Sequence, residues 1–179
     1  DNLTKQLTNV GYQLISTPHI AHKNLYITSG HYNKYSENTF KPIHTPSNET
    51  FLLKPMNCPH HCLIYKDQPQ SYKNLPLRLA EFGTVYRYEQ HGELHGLTRT
   101  RCFTQDDGHS FCMPEHIQQE LITNIQLTIA LFKKMGFDNY TAQISLPDPN
   151  KLNDYIGSPQ DWHLAEQALL QATKHCNLT

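Results

Sequence analysis

Residues 77–89 read L-R-L-A-E-F-G-T-V-Y-R-Y-E, residues 90–98 read Q-H-G-E-L-H-G-L-T, and residues 99–112 read R-T-R-C-F-T-Q-D-D-G-H-S-F-C. Both arms are rich in aromatic and β-branched residues, and the link between them carries Gly92 and Gly96. This pattern predicts a long antiparallel hairpin with a mobile tip. The rest of the fold is expected to be arranged around this hairpin.

One face of the hairpin carries side chains that are unusual for a core. Because side chains alternate along a strand, Arg87 and Glu89 share a face of the first arm. The odd-numbered residues of the second arm also share a face; they are Arg99, Phe103, Gln105, Asp107 and His109. Burying such groups without a ligand would leave polar atoms unpaired, at about 1–3 kcal/mol each. Arginines suit a polyphosphate and a phenyl ring suits a base, whereas a solvated sheet face is the plain alternative.

Residues 78–112 resemble motif 2 of the threonyl-tRNA synthetase family, which belongs to the class II aminoacyl-tRNA synthetases. Upstream, K-P-M-N-C-P-H-H (54–61) is similar to the zinc-cysteine signature of that family. The likeness runs from about Pro18 to Leu170 and so covers almost the whole chain. It implies an antiparallel sheet flanked by helices, and the separation of long strands from helices independently indicates an α+β fold.

Periodicity and turn residues predict the other elements. Strands are expected at 12–16, 40–44, 50–54 and 140–146. Helices are expected at 1–10, 21–29, 59–66 and 114–134, and from about 158 onward, with Ser158 as the cap and Pro159 in the first turn.

The resemblance implies a partial class II catalytic domain over residues 1–179, and the length also favours one domain. This domain would contain the tail of motif 1, the zinc-cysteine segment and motif 2. Pro18 is either the proline of motif 1 or a simple strand terminator. Motif 3, most of motif 1, and the editing and anticodon-binding domains are not recognised. We therefore expect the catalytic core to be incomplete and the chain alone to be inactive.

Composition limits the possible partners and compartments. The net charge of −1 provides no broad basic field, so any tRNA contact must come from local patches or from other domains. Five cysteines form no disulfide-framework spacing, which favours a reducing, cytoplasmic compartment. The chain has no long apolar run, so neither a transmembrane helix nor a signal peptide is expected.

Cys58 and His109 are candidate zinc ligands, because thiolate and imidazole both bind zinc. Spacing alone is weak evidence, and the cluster Cys58-Pro-His-His-Cys62 offers a local alternative. The resemblance favours Cys58 with His109 and implies a third ligand, a histidine, beyond this chain. In the family the zinc holds the amino and hydroxyl groups of the amino acid. This contact selects threonine over valine.

The resemblance also implies ATP-dependent activation of L-threonine to threonyl-adenylate, followed by transfer to threonine tRNA. In that reaction Arg87 would hold the α-phosphate and Arg99 the γ-phosphate. Phe103 would stack on adenine, and Glu89 would accept a hydrogen bond from its amino group. Mg²⁺ would bridge the phosphates. The full-length enzyme would be a homodimer.

The remaining implied residues orient the amino acid. Gln105 and Asp107 would position the substrates, with Asp107 facing the threonine amino group. Met56 would line the pocket, or would simply fill the core. Two positions depart from the family: Cys102 replaces the usual glycine and could crowd its strand, and Gly108 replaces the usual alanine. The rival hypotheses are another class II synthetase, such as a prolyl or seryl enzyme, and a non-catalytic relative that binds nucleotide or RNA.

Overall fold

The computed structural model describes residues 2–151 and 155–178. The chain divides into two compact units, which are Tyr12–Phe111 and, from the two sides of it, Asp1–Gly11 with Cys112–Thr179. The strands are β1 (Tyr12–Leu14), β2 (Ile20–His22), β3 (Ile43–His44), β4 (Thr50–Leu53), β5 (Leu77–Tyr86) and β6 (Cys102–Phe111). The helices are α1 (Asn2–Asn9), α2 (Lys23–Thr28), α3 (His31–Lys34), α4 (Cys58–Asp67), α5 (Ile117–Lys134) and α6 (Pro159–His175).

The described residues 12–111 form two three-stranded sheets, and the larger contains the predicted hairpin. Its strands β5 and β6 pair antiparallel from Leu77 opposite Phe111 to Tyr86 opposite Cys102. Strand β1 joins the other edge of β5 in parallel, with Tyr12 opposite Arg78. The hairpin and the α+β class are confirmed, but the parallel edge strand makes this sheet mixed rather than purely antiparallel.

The smaller sheet has the order β2-β4-β3 and corrects two predicted boundaries. The helix expected at 21–29 begins only at Lys23, because Ile20–His22 pair with β4 as an edge strand. The strand expected at 40–44 is reduced to the two residues that pair with β4 on its other side. In both places backbone pairing across the sheet decides the local structure.

A buried carboxylate joins four segments of this unit. Glu81 on β5 is 4% exposed, and its Oε1 accepts hydrogen bonds from the backbone N of Thr17 at 2.8 Å and from Nζ of Lys54 at 3.2 Å. Its Oε2 lies 3.2 Å from Nε2 of His61, on α4. Burial raises the pKa of Glu81, but the hydrogen bonds from Thr17, His61 and Lys54 outweigh burial and lower the pKa below its ordinary value. The carboxylate is therefore ionised inside the unit.

The other unit is helical: α5 packs against α6 and, at fewer positions, against α1. The predicted cap of α6 is confirmed, because Ser158 Oγ accepts from the backbone N of Asp161 at 3.1 Å while Asp161 accepts from the backbone N of Ser158. The strand expected at 140–146 is wrong: these residues form no ladder with any described strand. Within the described ranges, no helix has the length and apolar character that membrane crossing requires.

Replacing Lys54 by methionine should destabilise the chain by about 3–5 kcal/mol, because the buried Glu81 carboxylate loses the cation that balances it. Urea denaturation followed by circular dichroism measures the loss. Lys66→Met, at an exposed position of α4, is the matched control and should change the free energy of unfolding by less than about 0.5 kcal/mol. Equal stability of the two variants would contradict this role of Lys54.

Candidate functional site

The predicted alternation along β6 is confirmed. Phe103, Gln105, Asp107 and His109 are half-buried on one face, whereas the residues between them are exposed. The exposed set includes Cys102, so this side chain does not crowd the sheet.

Four of the predicted nucleotide-binding residues line one cavity of about 400 Å³. Its lining consists of Asn38, Arg87, Glu89, Leu97, Thr98, Arg99, Thr100 and Phe103. The guanidinium carbon of Arg87 lies 5.1 Å from the centroid of the Phe103 ring, which is a cation–π contact. A concave site that combines two guanidinium groups, a buried carboxylate and a phenyl ring has the chemistry to hold a nucleotide.

Arg99 does not lie on the strand face where the sequence placed it, because β6 begins only at Cys102. It belongs to the connecting loop, where its Nη2 and Nε lie 2.9 and 3.0 Å from Oε2 of Glu89. The Glu89 side chain is 8% exposed and that of Arg99 is 49% exposed. The arginine thus reaches the cavity from the loop, paired with a carboxylate that is itself a predicted site residue.

Arg101 is a member of this site that the sequence analysis missed. Its Nε and Nη2 donate to the backbone oxygen of Glu89 at 3.0 and 2.8 Å, and its guanidinium lies 4.9 Å over the Tyr88 ring. These contacts tie the end of the first arm to the start of the second. The sequence signal for it was weak, since Arg101 is one of several arginines in the hairpin.

Met56 lines a second, smaller cavity of about 110 Å³, so the pocket alternative describes it better than core filling. The lining of this cavity is His31, Tyr35, Asn38, Pro55, Met56 and Arg87. Asn38 and Arg87 border both cavities, and the backbone oxygen of Asn38 accepts from the backbone N of Tyr88 at 2.9 Å. Asn38 was not expected from the sequence, because it comes from a separate segment with no motif of its own.

Asp107 is held by a residue from the zinc-cysteine segment. Asn57 is fully buried, and its Nδ2 donates to Oδ2 of Asp107 at 3.1 Å. The Asn57 amide lies directly against Gly83 of β5, where a Cβ atom would overlap the amide oxygen. Gly83 also lies opposite Gln105 in the ladder. The glycine therefore lets the asparagine cross the sheet and fix the carboxylate.

Cys58 and His109 lie on the same side of the sheet, since the Asp107 charge acts on both. Burial raises the pKa of the Cys58 thiol, with Asp107 acting in the same direction. Burial also lowers the pKa of His109, which keeps the imidazole neutral, as a metal ligand must be. Thiol and neutral imidazole form a donor set that fits zinc. The described ranges contain no group of three or more His, Cys, Asp and Glu arranged for a metal, so these two residues would need a third ligand from elsewhere.

The local cluster of Cys58, His60, His61 and Cys62 does not converge on one point. The Cys62 side chain is exposed, and His61 is bound to Glu81. His60 is 6% exposed, neither of its ring nitrogens has a partner among the described residues, and burial lowers its pKa to about 4. The structure therefore argues against a zinc site within this segment.

Comparison with known proteins identifies one matching family model. Residues 39–160 match the tRNA synthetase class II core domain shared by the G, H, P, S and T enzymes. The matched range includes the segment of Met56 and Cys58, the hairpin and the first part of the helical unit.

Similar proteins of known name agree with this match. The chain is 57% identical over 178 residues to a threonine–tRNA ligase of Cytophaga hutchinsonii and 56% identical over 173 residues to one of Flavobacterium johnsoniae. These alignments cover 99% and 96% of this chain but only 28% and 27% of the relatives, so the chain spans little more than a quarter of their length. Among solved structures, the RNA binding domain of threonyl-tRNA synthetase from Cryptosporidium parvum superposes with a TM-score of 0.85 at 35% identity, covering 98% of this chain and 42% of that one.

Substituting Gly83 by alanine should destabilise the chain by about 1–3 kcal/mol, because the new Cβ atom overlaps the buried Asn57 amide and one of them must move. Urea denaturation provides the measurement. Gly92→Ala is the control, since a Cβ atom there meets nothing within 4 Å. A Gly83→Ala chain as stable as the control would show that Asn57 does not need this close approach.

Proposed function

Because the chain belongs to the family of class II tRNA synthetase core domains, we propose that it supplies part of the active site of a threonine–tRNA ligase. The protein would activate L-threonine with ATP to threonyl-adenylate and transfer the threonyl group to threonine tRNA. The observation that carries this proposal is the convergence of Arg87, Glu89, Arg99 and Phe103 on one cavity. The threonine–tRNA ligases among its relatives support the choice of amino acid.

In the first step the threonine carboxylate attacks the α-phosphorus of ATP and pyrophosphate leaves. The nucleophile is already ionised, so no general base is required and catalysis consists of positioning and neutralisation of charge. Arg87 would hold the α-phosphate, where negative charge increases in the transition state. Mg²⁺, bound with ATP, would bridge the phosphates.

Arg99 would bind the γ-phosphate after leaving part of its contact with Glu89. Its side chain is half-exposed, and a solvated ion pair stabilises the loop by about 1 kcal/mol or less, so the exchange is easy. Glu89 would then accept a hydrogen bond from the adenine amino group, and the base would stack on Phe103. The ion pair thus keeps both side chains at the cavity until ATP arrives.

Threonine would lie between Met56 and the sheet face, with its amino group toward Asp107. Asn57 supports this role, because it fixes the Asp107 carboxylate in one orientation. Gln105, two residues before Asp107 on the same face, would help to orient the substrates.

Cys58 and His109 would hold a zinc ion, together with a histidine that lies outside this chain. Zinc, when bound, would supply a Lewis acid that takes the amino and hydroxyl groups of threonine as ligands and so disfavours valine. Asp107, whose charge acts on both candidate ligands, would add negative charge beside the cation.

In the second step the terminal ribose hydroxyl of the tRNA attacks the adenylate and AMP leaves. The connecting loop would meet the acceptor end, and its Leu97 side chain is 98% exposed. The whole protein would be a homodimer in the cytoplasm. The free state of all five cysteines, each in the described part of the chain, supports a reducing compartment.

The proposal is tested in a chimera in which this chain replaces the 178 matching residues of the Cytophaga hutchinsonii relative. The chimera should catalyse threonine-dependent exchange of pyrophosphate into ATP. Arg87→Ala should lower the exchange rate by about 10²–10³-fold, because a donor to the transition-state charge is lost. Lys66→Ala removes an exposed charge far from the cavity and should leave the rate unchanged.

Two results would contradict this assignment. An Arg87→Ala rate within a few-fold of the parent chimera would rule out the phosphate role. A chimera that folds and binds ATP without any exchange would favour a non-catalytic relative, and exchange driven by proline or serine in preference to threonine would favour another class II synthetase.

The chain by itself should not make threonyl-tRNA at a useful rate, because it spans 28% of the Cytophaga relative and carries only two of the proposed zinc ligands. Charging of threonine tRNA by the purified chain, with and without added zinc, measures this. The chimera, assayed at the same concentration, is the positive control. Robust charging by the chain alone would show that the chemistry needs less of the enzyme than we propose.

A further inference from the structure

A chain of three buried hydrogen-bonding groups runs from the core to the candidate metal ligand. Oε2 of Glu81 lies 3.2 Å from Nε2 of His61, and Nδ1 of His61 lies 2.9 Å from Nδ1 of His109. The two imidazole rings meet nearly edge to face, with centroids 4.7 Å apart and planes at 78°. Because His61 is completely buried, water does not compete for either of its ring nitrogens.

The direction of each hydrogen bond follows from the group at the inner end. Glu81 is ionised and can only accept, so Nε2 of His61 carries a proton and donates it. Lys54, 1% exposed and 3.2 Å from Oε1 of Glu81, already balances the carboxylate charge. A second cation on the buried His61 ring would have no anion left to pair with in this cluster, so His61 is neutral.

A neutral imidazole has one N–H, and His61 uses it on Glu81. Its Nδ1 therefore presents a lone pair to His109, and the short Nδ1–Nδ1 distance requires that His109 donate from Nδ1. In the neutral His109 ring the proton then sits on Nδ1 and the lone pair on Nε2. Nitrogen with a lone pair is the form that binds a metal.

We propose that Glu81 and His61 form a positioning relay that fixes His109 in the tautomer whose Nε2 is free to bind zinc. The inference rests on the proposed function, because it takes His109 as a ligand. Metal-bound histidines generally donate their second ring N–H to a fixed acceptor, and here that acceptor is a second histidine, itself oriented by a carboxylate. Lys54 and Thr17 complete the relay by holding Glu81 in place.

The relay explains why a titratable cluster is buried behind the sheet face. A carboxylate, an ammonium group and an imidazole in the core stabilise a fold less effectively than apolar residues of the same volume. Their arrangement in line with His109 gives them a task at the site, namely to set the orientation and the proton position of a side chain that is only half-buried.

Zinc affinity of the chimera described above, measured by competition with a chromogenic chelator, tests the relay. His61→Leu should weaken zinc binding by about 10–100-fold. His61→Gln should restore most of the affinity, because its amide can donate to Glu81 and accept from His109. His60→Leu is the matched control: it removes the neighbouring buried histidine, whose ring nitrogens have no partner among the described residues, and should not change the affinity.

A second readout does not require zinc. Nitrogen-15 NMR of the histidine-labelled, metal-free chimera should show His109 protonated at Nδ1, with the signal assigned from its absence in His109→Gln. His61→Leu should shift this signal toward the mixture of tautomers seen in a free imidazole. If His61→Leu does not fold, the parent spectrum decides the matter, since protonation of His109 at Nε2 would overturn the relay.

The outcomes separate the relay from the proposed function. If Cys58→Ala and His109→Ala lose zinc while His61→Leu keeps the parent affinity, the relay is wrong and the zinc assignment stands. If neither Cys58→Ala nor His109→Ala changes the zinc content, the zinc assignment is wrong and the relay falls with it. Loss of affinity in both His61→Leu and His61→Gln would also overturn the relay, because a purely structural role predicts no rescue.

Discussion

The fold of the Tyr12–Phe111 unit depends on one buried carboxylate. Glu81 receives Thr17 from the segment after β1, Lys54 from the end of β4 and His61 from α4, so three separate parts of the chain meet on one strand. An ionised group inside a protein is tolerated only when all of its partners are in place. The register of the hairpin follows from this, because a slip of one residue would move Glu81 to the opposite face of the sheet.

Features that depend on local patterns could be predicted from the sequence. The hairpin is encoded by two arms of strand-forming residues around a glycine-containing link, and the start of α6 by a serine that precedes proline. Features that depend on a partner elsewhere could not. Ile20–His22 form a strand because β4 lies beside them, and the segment 140–146, which has a strand-like composition, lacks such a neighbour among the described residues.

The same distinction applies to the candidate site. Alternation along β6 placed Phe103 and Asp107 correctly on one face, but the strand boundary moved Arg99 into the loop. Asn38 and Asn57 were missed because each acts through contacts with distant segments, and asparagine is common in ordinary turns. The significance of Gly83 is visible only when the Asn57 amide is seen lying against it. Motifs identified the chemistry, whereas three-dimensional proximity identified the residues that support it.

The contact between Arg87 and Phe103 has a consequence for which molecules the cavity would accept. One face of the phenyl ring is covered by the guanidinium group, so a flat base can stack there only if the arginine moves away. A phosphate group provides the attraction that draws the arginine off, and a cation–π contact at a partly exposed site resists with about 0.5–1 kcal/mol. Free adenine and adenosine bring no such charge and would find the ring occupied. The empty cavity would therefore recognise the joint presence of base and phosphate, and would discriminate nucleotides from the more hydrophobic nucleosides before any chemistry begins.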